Sequence, residues 1–317
     1  MDLYYSHSKD SSSILKPEEI NTDYLVKTTV CGCCGSKSFK KLVPLYKEPP
    51  INYIKCSKCG GVTYDRIYSQ AGLDEMYSRE DLYEDYEEYG NSKITFYGSE
   101  RIVKHIMKHI HLPNKTLKVI SILDFGGGDG EISYTLAQSL LKEHKCCDVE
   151  IVVVDYNESL HTSTNEHIHI SRLFPLEAVT EKQFNIVIAS AVLEHLPNPG
   201  EYMRMLFDRT KKGGYVYFRT PYVFPIYKTL RRIGVNYYTG FPGHIWDLGQ
   251  YWWDHAADSI GYPKGKIKLV RSCPAIVEKS LKVEFLNSLA AYIMKAVWYI
   301  FPKWQYVGGW ETIYRKI

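Results

Sequence analysis

The pattern of apolar and polar positions predicts that strands and helices alternate through most of residues 116–317. Short runs rich in Val and Ile, separated by helical patterns, are typical of buried parallel strands in an α/β fold. The predicted strands are VISILDF (119–125), EIVVVDY (150–156), HIHI (167–170), FNIVIAS (184–190), YVYFRT (215–220), residues 266–271 and the final WETIYRKI (310–317). Gly213 and Gly214 are expected to form a turn before the fifth of them.

Helical spacing of apolar residues predicts helices at about residues 99–111, 131–142, 200–210 and 248–260. In the first of these, Ile102, Val103, Ile106, Met107 and Ile110 share one face. His105 and His109 are four residues apart, as in a metal-binding pair. They lie with lysines opposite the apolar face, so we expect both histidines to face solvent.

Two segments depart from this alternation. Residues 221–247 are rich in Pro, Gly and aromatic residues, and we interpret them as an insertion over the active-site edge. The segment 285–301 is apolar but contains Asn287, Ser288 and Lys295, so it lacks the uninterrupted run of a membrane span. We expect a buried or interface helix there, with a position on a membrane surface as the alternative.

Composition and charge narrow the class of protein. The chain has 317 residues, of which 45% are hydrophobic and 24% charged, as in soluble globular proteins of about two folding units. The net charge is only +3 and the basic residues are scattered among acidic ones, which argues against nucleic acid as the main partner. The polar N-terminal segment lacks a signal-peptide pattern, so we expect a cytoplasmic protein without structural disulfides.

A glycine-rich loop, LDFGGGDG (123–130), directly follows the first predicted strand and precedes a helix. Its glycines, Gly126 and Gly128 among them, let the backbone turn sharply and approach a ligand. Asp124 would repel a pyrophosphate but can accept hydrogen bonds from a cationic amino group. The loop therefore favours the amino-acid end of S-adenosylmethionine (SAM) over a dinucleotide, although an ordinary tight turn remains the alternative.

A second acidic residue, Asp155, ends the second predicted strand. An acid at this position is placed to bind the two ribose hydroxyls of an adenosine, and Tyr156 could line the adenine ring. A helix cap or a turn is the alternative role of such an aspartate.

The third motif is FNIVIASAVLEHLPNP (184–199). The order of glycine loop, strand-end acid and apolar strand ending in LEHLPNP resembles class I SAM-dependent methyltransferases, over about residues 119–220. The resemblance implies an α/β, Rossmann-like and mostly parallel sheet of seven strands, and a loop at Ser190 and Glu194–His195 beside the methyl donor and acceptor. It makes SAM the expected cofactor, bound by Asp124, Gly126, Gly128, Asp129, Asp155, Tyr156 and Ser190.

Two histidines are candidate general bases. A neutral imidazole can take a proton from a hydroxyl near pH 7. His195 lies in the LEHLPNP loop and His244 in the aromatic insertion that should face the acceptor. For His195 the alternative is a purely structural role in shaping the loop.

Two CxxC pairs predict a metal site near the N-terminus. Cys31 and Cys34 are followed, after 21 residues, by Cys56 and Cys59, and each pair has a glycine directly behind it. Such pairs place four thiolates around one Zn²⁺, and four protein ligands leave no open position, so the zinc should be structural. A redox-active pair is the alternative.

A zinc ribbon, a Tyr-rich segment and then a SAM domain in this order resemble a subgroup that methylates sugars, glycans and similar small acceptors. The resemblance implies that Tyr83, Tyr86, Tyr89 and Tyr97 form a lid over SAM, with Tyr86 as a cofactor contact. We therefore divide the chain into a lead-in (1–27), a zinc-ribbon lobe (28–70), a lid and helix (71–115) and a methyltransferase domain (116–317).

The predicted function is thus SAM-dependent methylation, first of all at oxygen, of a sugar, a glycan-linked group or another small molecule. Methylation of ribosomal RNA is one alternative, because some RNA methyltransferases carry four-thiolate zinc lobes. A SAM-binding or zinc-mediated interaction protein without turnover is the other.

Overall fold

The computed structural model describes residues 2–3, 17–78, 99–112, 117–143, 148–155, 160–173, 176, 179, 182–237, 240–276 and 285–317. The described part begins with a two-residue strand, β1 (Asp2–Leu3), which pairs in parallel with residues 236–237. Two short 3₁₀ turns, Pro17–Glu19 and Thr22–Tyr24, lead into the N-terminal lobe.

The N-terminal lobe is built from short antiparallel strands. Strand β2 (Leu25–Lys27) pairs with β6 (Arg66–Tyr68), while β3 (Phe39–Tyr46), β4 (Ile51–Cys56) and β5 (Val62–Tyr64) form a three-stranded sheet. Helix α1 (Gln70–Ser78) follows the lobe. A small antiparallel sheet agrees with the ribbon-like lobe that the cysteine spacing predicts.

A seven-stranded sheet forms the centre of the molecule. Its strands are β7 (Val119–Phe125), β8 (Asp148–Val154), β9 (Ile168–Arg172), β10 (Phe184–Ser190), β11 (Thr210–Tyr222), β13 (Ile267–Pro274) and β14 (Gly308–Lys316); β12 is the short strand Asn236–Tyr237 outside this sheet. The strand order is β13–β14–β11–β10–β7–β8–β9, and β14 runs antiparallel to both neighbours whereas the pairings from β11 to β9 are parallel. The predicted fold class, α/β with a mostly parallel seven-stranded sheet, is confirmed.

Helices cover the sheet. They are α2 (Ser99–His109), α3 (Glu131–Glu143), α4 (Pro199–Asp208), α5 (Phe224–Arg232), α6 (Gln250–Asp254), α7 (Ala256–Ser259) and α8 (Phe285–Ile300), and Leu193–His195 form a 3₁₀ turn. Helices α2 and α3 pack against one layer of apolar residues from the sheet. Their buried side chains include those of Ile102, Ile106 and Leu136. The predicted face of α2 is therefore the buried one.

The second apolar layer joins the N-terminal lobe to the rest of the chain. Tyr53 of β4 lies with its ring centroid 5.0 Å from that of Phe224 and 4.8 Å from that of Tyr227, both on α5. Tyr64 of β5 packs edge-on against Phe241 at 4.9 Å. Because these rings are buried together, the lobe and the sheet share one core.

One local prediction was wrong. Strand β11 continues through the glycines where a turn is expected: Phe184 pairs with Thr210 and Ile186 with Tyr215, so a bulge absorbs the extra residues.

The segment 221–247, which we interpret as an insertion over the active-site edge, contains helix α5, whose first turn holds Pro225. Proline is favoured in the first helical turn because its missing N–H would have no partner there.

Helix α8 is not fully buried. Leu289, Ile293 and Ile300 are exposed by 37%, 57% and 74%, which excludes a fully buried helix. The interface and membrane-surface positions both stay predictions. Within the described ranges, no helix combines the length and the apolar character needed to cross a membrane.

Candidate functional site

The candidate site lies at the carboxyl ends of the parallel strands, where the strand order reverses between β7 and β10. Ligands of open α/β sheets bind in the crevice at this switch point. A pocket opens here, and its lining residues are Asp124, Gly126, Gly127, Asp129, Glu131, Ile132 and Ser190. The predicted glycine loop and the predicted serine are therefore brought together, although they are about 60 residues apart in the sequence.

The glycine loop fits closely around its neighbours. Gly126 has a φ of +67°, and a Cβ atom there would lie 2.5 Å from a methyl group of Val192. A Cβ on Gly127 would lie 2.4 Å from the Asp124 carboxyl carbon. These positions require glycine, because any side chain would push the loop away from Asp124 and from the 191–196 loop.

Asp124 lies beneath the glycine loop and is only 1% exposed. Its Oδ2 atom has no hydrogen-bond partner among the described residues. Burial raises the pKa of Asp124 to about 7, and the nearby Asp155 adds to this effect. A cationic ligand group at this carboxyl would supply the missing partner and favour its ionised form.

Two further acids support the loop. Asp155 accepts a hydrogen bond from the backbone N–H of Gly128 at 2.8 Å, so its carboxylate holds the glycine loop against the end of β8. Asp129 accepts one from the backbone N–H of Glu131 at 3.1 Å, which satisfies a free donor at the start of α3. Both acids thus have a structural role beside the ligand role that the sequence predicts.

Ser190 ends β10 and faces the pocket. Its side chain is buried, and its Oγ has no hydrogen-bond partner among the described residues. The next residue, Ala191, has a φ of +56°, which is uncommon for a residue with a Cβ atom. This backbone turn directs the chain from the sheet edge into the 3₁₀ turn at residues 193–195.

The structure brings the two predicted bases together. The rings of His195 and His244 lie 4.7 Å apart in an edge-on arrangement, although 48 residues separate them in the sequence. Glu194 completes the group, because its Oε1 lies 3.9 Å from His195 Nε2 and one ligand-type atom from each of the three residues falls within 4.8 Å of the others. Sequence reasoning noted Glu194 only as part of the loop motif.

The protonation states of this group follow from burial. His195 Nδ1 lies 3.1 Å from the carbonyl oxygen of Gly243, which can only accept, so Nδ1 carries the proton and Nε2 carries the lone pair. Burial lowers the pKa of His195 below its usual range and raises the pKa of Glu194 to about 8. Both groups are therefore mainly neutral at pH 7, and His195 Nε2 can accept a proton.

Backbone hydrogen bonds hold the two histidine loops in place. The Glu194 carbonyl accepts from the N–H of Ile245 at 2.7 Å and from that of Trp246 at 3.1 Å. Thr63 of β5 in turn donates its hydroxyl to the Ile245 carbonyl at 2.8 Å. The N-terminal lobe thus supports the loop that carries His244.

The four predicted metal ligands converge in the lobe. Cys31 Sγ lies 3.6 Å from Cys59 Sγ, Cys34 Sγ lies 3.6 Å from Cys56 Sγ, and all four sulfurs fall within 4.8 Å of one another. Sulfurs placed tetrahedrally around Zn²⁺ at 2.3 Å would be about 3.8 Å apart. The donor set therefore fits a zinc ion with small adjustments, and its closed four-sulfur shell leaves no position for a substrate.

Some predicted residues lie outside the described part of the chain. These are Tyr156, the candidate adenine contact, and the lid residues Tyr83, Tyr86, Tyr89 and Tyr97. Three pocket residues were not predicted as site residues: Gly127, within the predicted glycine loop, and Glu131 and Ile132, in the first turn of α3. The position of Glu131 and Ile132 directly after the glycine loop is the sequence signal that could have identified them.

Comparisons with known proteins identify the family of the chain. The profile of a family described as "Methyltransferase domain" matches residues 99–262, which is more than half of the chain. A ubiquinone biosynthesis O-methyltransferase of Hydrogenovibrio crunogenus is 28% identical over 119 residues. That match covers 37% of this chain and 47% of the relative, so the chain spans about half the length of the curated relative.

Solved structures include similar folds at low sequence identity. The plantazolicin methyltransferase BpumL, in complex with a monoazolic desmethylPZN analog and SAH, superposes with a TM-score of 0.50 at 14% identity, covering 77% of this chain and 93% of that one. Another structure of BpumL in complex with SAH gives a TM-score of 0.47 at 16% identity, covering 77% and 93%. The likeness at a TM-score of 0.50 supports the fold alone.

Proposed function

The chain belongs to the methyltransferase-domain family, and we propose that it transfers the methyl group of SAM to a hydroxyl oxygen of a small acceptor. The observation that carries the oxygen assignment is the pair of His195 and His244, since the loop that holds His195 contacts the glycine loop where Val192 packs against Gly126. An alcohol acceptor gains from a base that takes its proton, whereas a phosphate or carboxylate oxygen does not. The relative from Hydrogenovibrio crunogenus is also named as an O-methyltransferase.

Charge in the pocket supports SAM as the donor. Asp124, Asp129 and Glu131 line it, and Asp155 lies directly behind Gly128. Four carboxyl groups at one site favour a ligand with cationic groups, as SAM has in its ammonium and sulfonium, and disfavour an anionic dinucleotide. In this proposal Asp124 binds the amino group and Asp155 binds the ribose while it holds the loop. SAH, which is present with BpumL, is what remains of SAM after methyl transfer.

The chain's own residues would position the acceptor and move one proton. SAM supplies an activated methyl carbon, so the protein mainly has to align the acceptor and exclude water. His195 Nε2 would take the proton of an acceptor hydroxyl when its oxygen attacks the methyl carbon. Glu194 lies 3.9 Å from this nitrogen; its pKa is raised to about 8, so it is mainly protonated before the reaction, and its ionisation would stabilise the imidazolium. His244 orients the acceptor or relays the proton.

We assign the four-cysteine cluster to a structural zinc ion. The sulfur–sulfur distances of 3.6 Å support this assignment, as do the glycines Gly35 and Gly60, whose positive φ angles of +71° and +78° turn the chain behind each pair. Folding free energy on the order of 10 kcal/mol is available from such sites. Sugars and glycan-linked hydroxyl groups are the first acceptor class to test, since the order of lobe, Tyr-rich segment and methyltransferase domain resembles enzymes of this type.

The test is an acceptor screen with SAM in which SAH release is measured for sugars, nucleotide sugars and small alcohols. For an alcohol acceptor, His195→Gln should lower kcat by about 10²- to 10⁴-fold with little change in the SAM Kd. His255→Gln, at an exposed histidine directly after α6, is the matched control. Equal rates for His195→Gln and wild type would remove His195 as the base. Methylation of RNA alone, or SAM binding without turnover on any acceptor, would refute the proposal.

A further inference from the structure

A second group of metal-ligand side chains lies outside the proposed methyl-transfer site. His105 of α2, Cys273 of β13 and Glu311 of β14 each direct one ligand-type atom to the same point, and these atoms lie within 4.8 Å of one another. Cys273 and Glu311 are directly paired across the antiparallel strands, so both side chains project from the same face of the sheet. Glu311 is 0% exposed, Cys273 is 1% exposed and the His105 side chain is 12% exposed.

This burial contradicts the position expected for His105. The helical pattern placed His105 with Lys104 and Lys108 on a solvent-exposed face. In the structure Lys104 and Lys108 are exposed, but His105 lies at the edge of the apolar face, where β13 and β14 cover it. Burial lowers the pKa of His105 to about 4, so the ring is neutral and can act as a ligand.

Hydrogen bonding accounts for Cys273, whose thiol donates to Glu311 Oε1 at 3.7 Å, but it does not account for His105. His105 Nε2 is buried and has no hydrogen-bond partner among the described residues, although Glu311 Oε1 is only 3.2 Å away. This separation is short enough for a hydrogen bond, but the ring nitrogen does not point at the oxygen. The nitrogen therefore points beside the carboxylate oxygen, as it would if both atoms shared a third partner.

The distances fit a tetrahedral ion. With Zn–N, Zn–O and Zn–S bonds of about 2.05, 2.1 and 2.3 Å, tetrahedral nitrogen–oxygen and sulfur–oxygen edges are about 3.4 and 3.6 Å. The corresponding separations here are 3.2 Å for His105 and Glu311 and 3.7 Å for Cys273 and Glu311. Only the imidazole and the thiol would need to approach each other, by about 1 Å at most.

Neighbouring groups would orient the ligands and also limit the affinity. The Tyr217 hydroxyl donates to Glu311 Oε2 at 3.0 Å, which leaves Oε1 directed at the cluster. Arg219 and Lys295 act on Glu311, and Arg271 acts on Cys273. Because these cations oppose a bound metal ion, the site should hold it more weakly than the four-cysteine cluster does.

We propose that His105, Cys273 and Glu311 form a second metal site, which binds one Zn²⁺ or Co²⁺ through imidazole, thiolate and carboxylate. Binding would release the thiol proton to solvent, and the two ligand charges would balance the ion. Nitrogen and sulfur ligands favour these metals over Mg²⁺ and Ca²⁺. Three protein ligands leave a fourth position for water or a small anion.

The test is the metal content of the full chain after loading with Zn²⁺ and removal of free metal. His105→Ala should bind about one zinc ion fewer per chain than wild type. His111→Ala is the control, since His111 follows the same helix, is exposed and is not part of the cluster. The comparison between variants does not depend on whether the four cysteines also bind zinc.

Two more measurements keep the inference open to refutation if His105→Ala folds poorly. Glu311→Gln should lose the same ion, with circular dichroism as the check on folding. In the Co²⁺-loaded wild type, Cys273→Ser should remove one sulfur-to-cobalt absorption component and leave that of the four-cysteine cluster. Equal metal content in wild type, His105→Ala and Glu311→Gln would overturn the proposal, as would loss of the ion in His111→Ala.

Discussion

The ionisation of Asp124 should control how tightly the chain binds SAM. The carboxyl is 1% exposed, and burial raises its pKa to about 7. In the free protein it is therefore mostly protonated below pH 6. The cationic amino group of SAM would stabilise the carboxylate, so binding selects the ionised form and releases a proton at acidic pH.

The size of the effect follows from the ionised fraction. A carboxyl with a pKa of about 7 is about half ionised at pH 7 and only about 1% ionised at pH 5. If only the ionised form binds, the apparent Kd falls about 50-fold between pH 5 and pH 7 and less than about twofold between pH 7 and pH 8. An aspartate with an ordinary pKa near 3.9 would give almost no change over the same range.

Titration calorimetry between pH 5 and pH 8 measures both quantities, with two buffers of different ionisation enthalpy at each pH to count released protons. Asp124→Asn removes the titrating group with little change of shape, so it should bind weakly and without pH dependence. Asp247→Asn is the control: burial raises the pKa of Asp247 to about 7 as well, but this residue accepts from Val223 and Phe224 at the start of α5. A pH-independent Kd in wild type, or the same slope in Asp124→Asn, would refute the reasoning.

Two further predictions concern the contact between the loops and the stability of the whole chain. In Gly32→Ala, the new Cβ would lie 2.0 Å from the Pro197 carbonyl oxygen, so the two backbones must separate by about 1 Å. This should lower turnover by about 10- to 100-fold while the SAM Kd stays constant. Lys37→Ala, at an exposed position of the same lobe, is the control, and unchanged turnover in Gly32→Ala would contradict the prediction. Burial raises the pKa values of Asp124 and Asp247 to about 7 and of Glu194 to about 8, so the folded state binds more protons than the unfolded chain between pH 4 and those values. The free energy of unfolding should therefore fall as the pH rises from about 5 to 8. Urea titration measures it, and an increase would contradict the prediction.

The central sheet was predictable because its strands are buried on both faces. EIVVVDY and FNIVIAS have nearly continuous apolar runs, and both became strands within two residues of the expected bounds. The glycine loop was predictable for the same local reason, because sharp turns at a strand end require residues without a Cβ atom. Each of these signals lies within about ten residues of sequence.

Long-range packing decided what the sequence could not predict. His195 and His244 were selected separately, and only the fold places their rings 4.7 Å apart. The prediction that His105 faces solvent was wrong. Helical periodicity predicts a single buried face, whereas α2 also contacts the strands β13 and β14 at the edge of the sheet. Cys273, on one of those strands, is a free cysteine whose thiol donates to Glu311 at 3.7 Å.

The contacts between the lobe and the loops explain how four cysteines could influence methyl transfer without touching a substrate. Gly200 donates its N–H to the Gly32 carbonyl at 3.2 Å, and a Cβ on Gly200 would lie 2.2 Å from the Cys33 carbonyl oxygen. The first cysteine pair therefore lies in backbone contact with the loop that continues from His195. Bound metal would fix the position of that pair, and the pair would fix the loop. Loss of the metal should thus disturb the histidine pair before it disturbs the glycine loop, which β7 and Asp155 hold from the other side of the pocket.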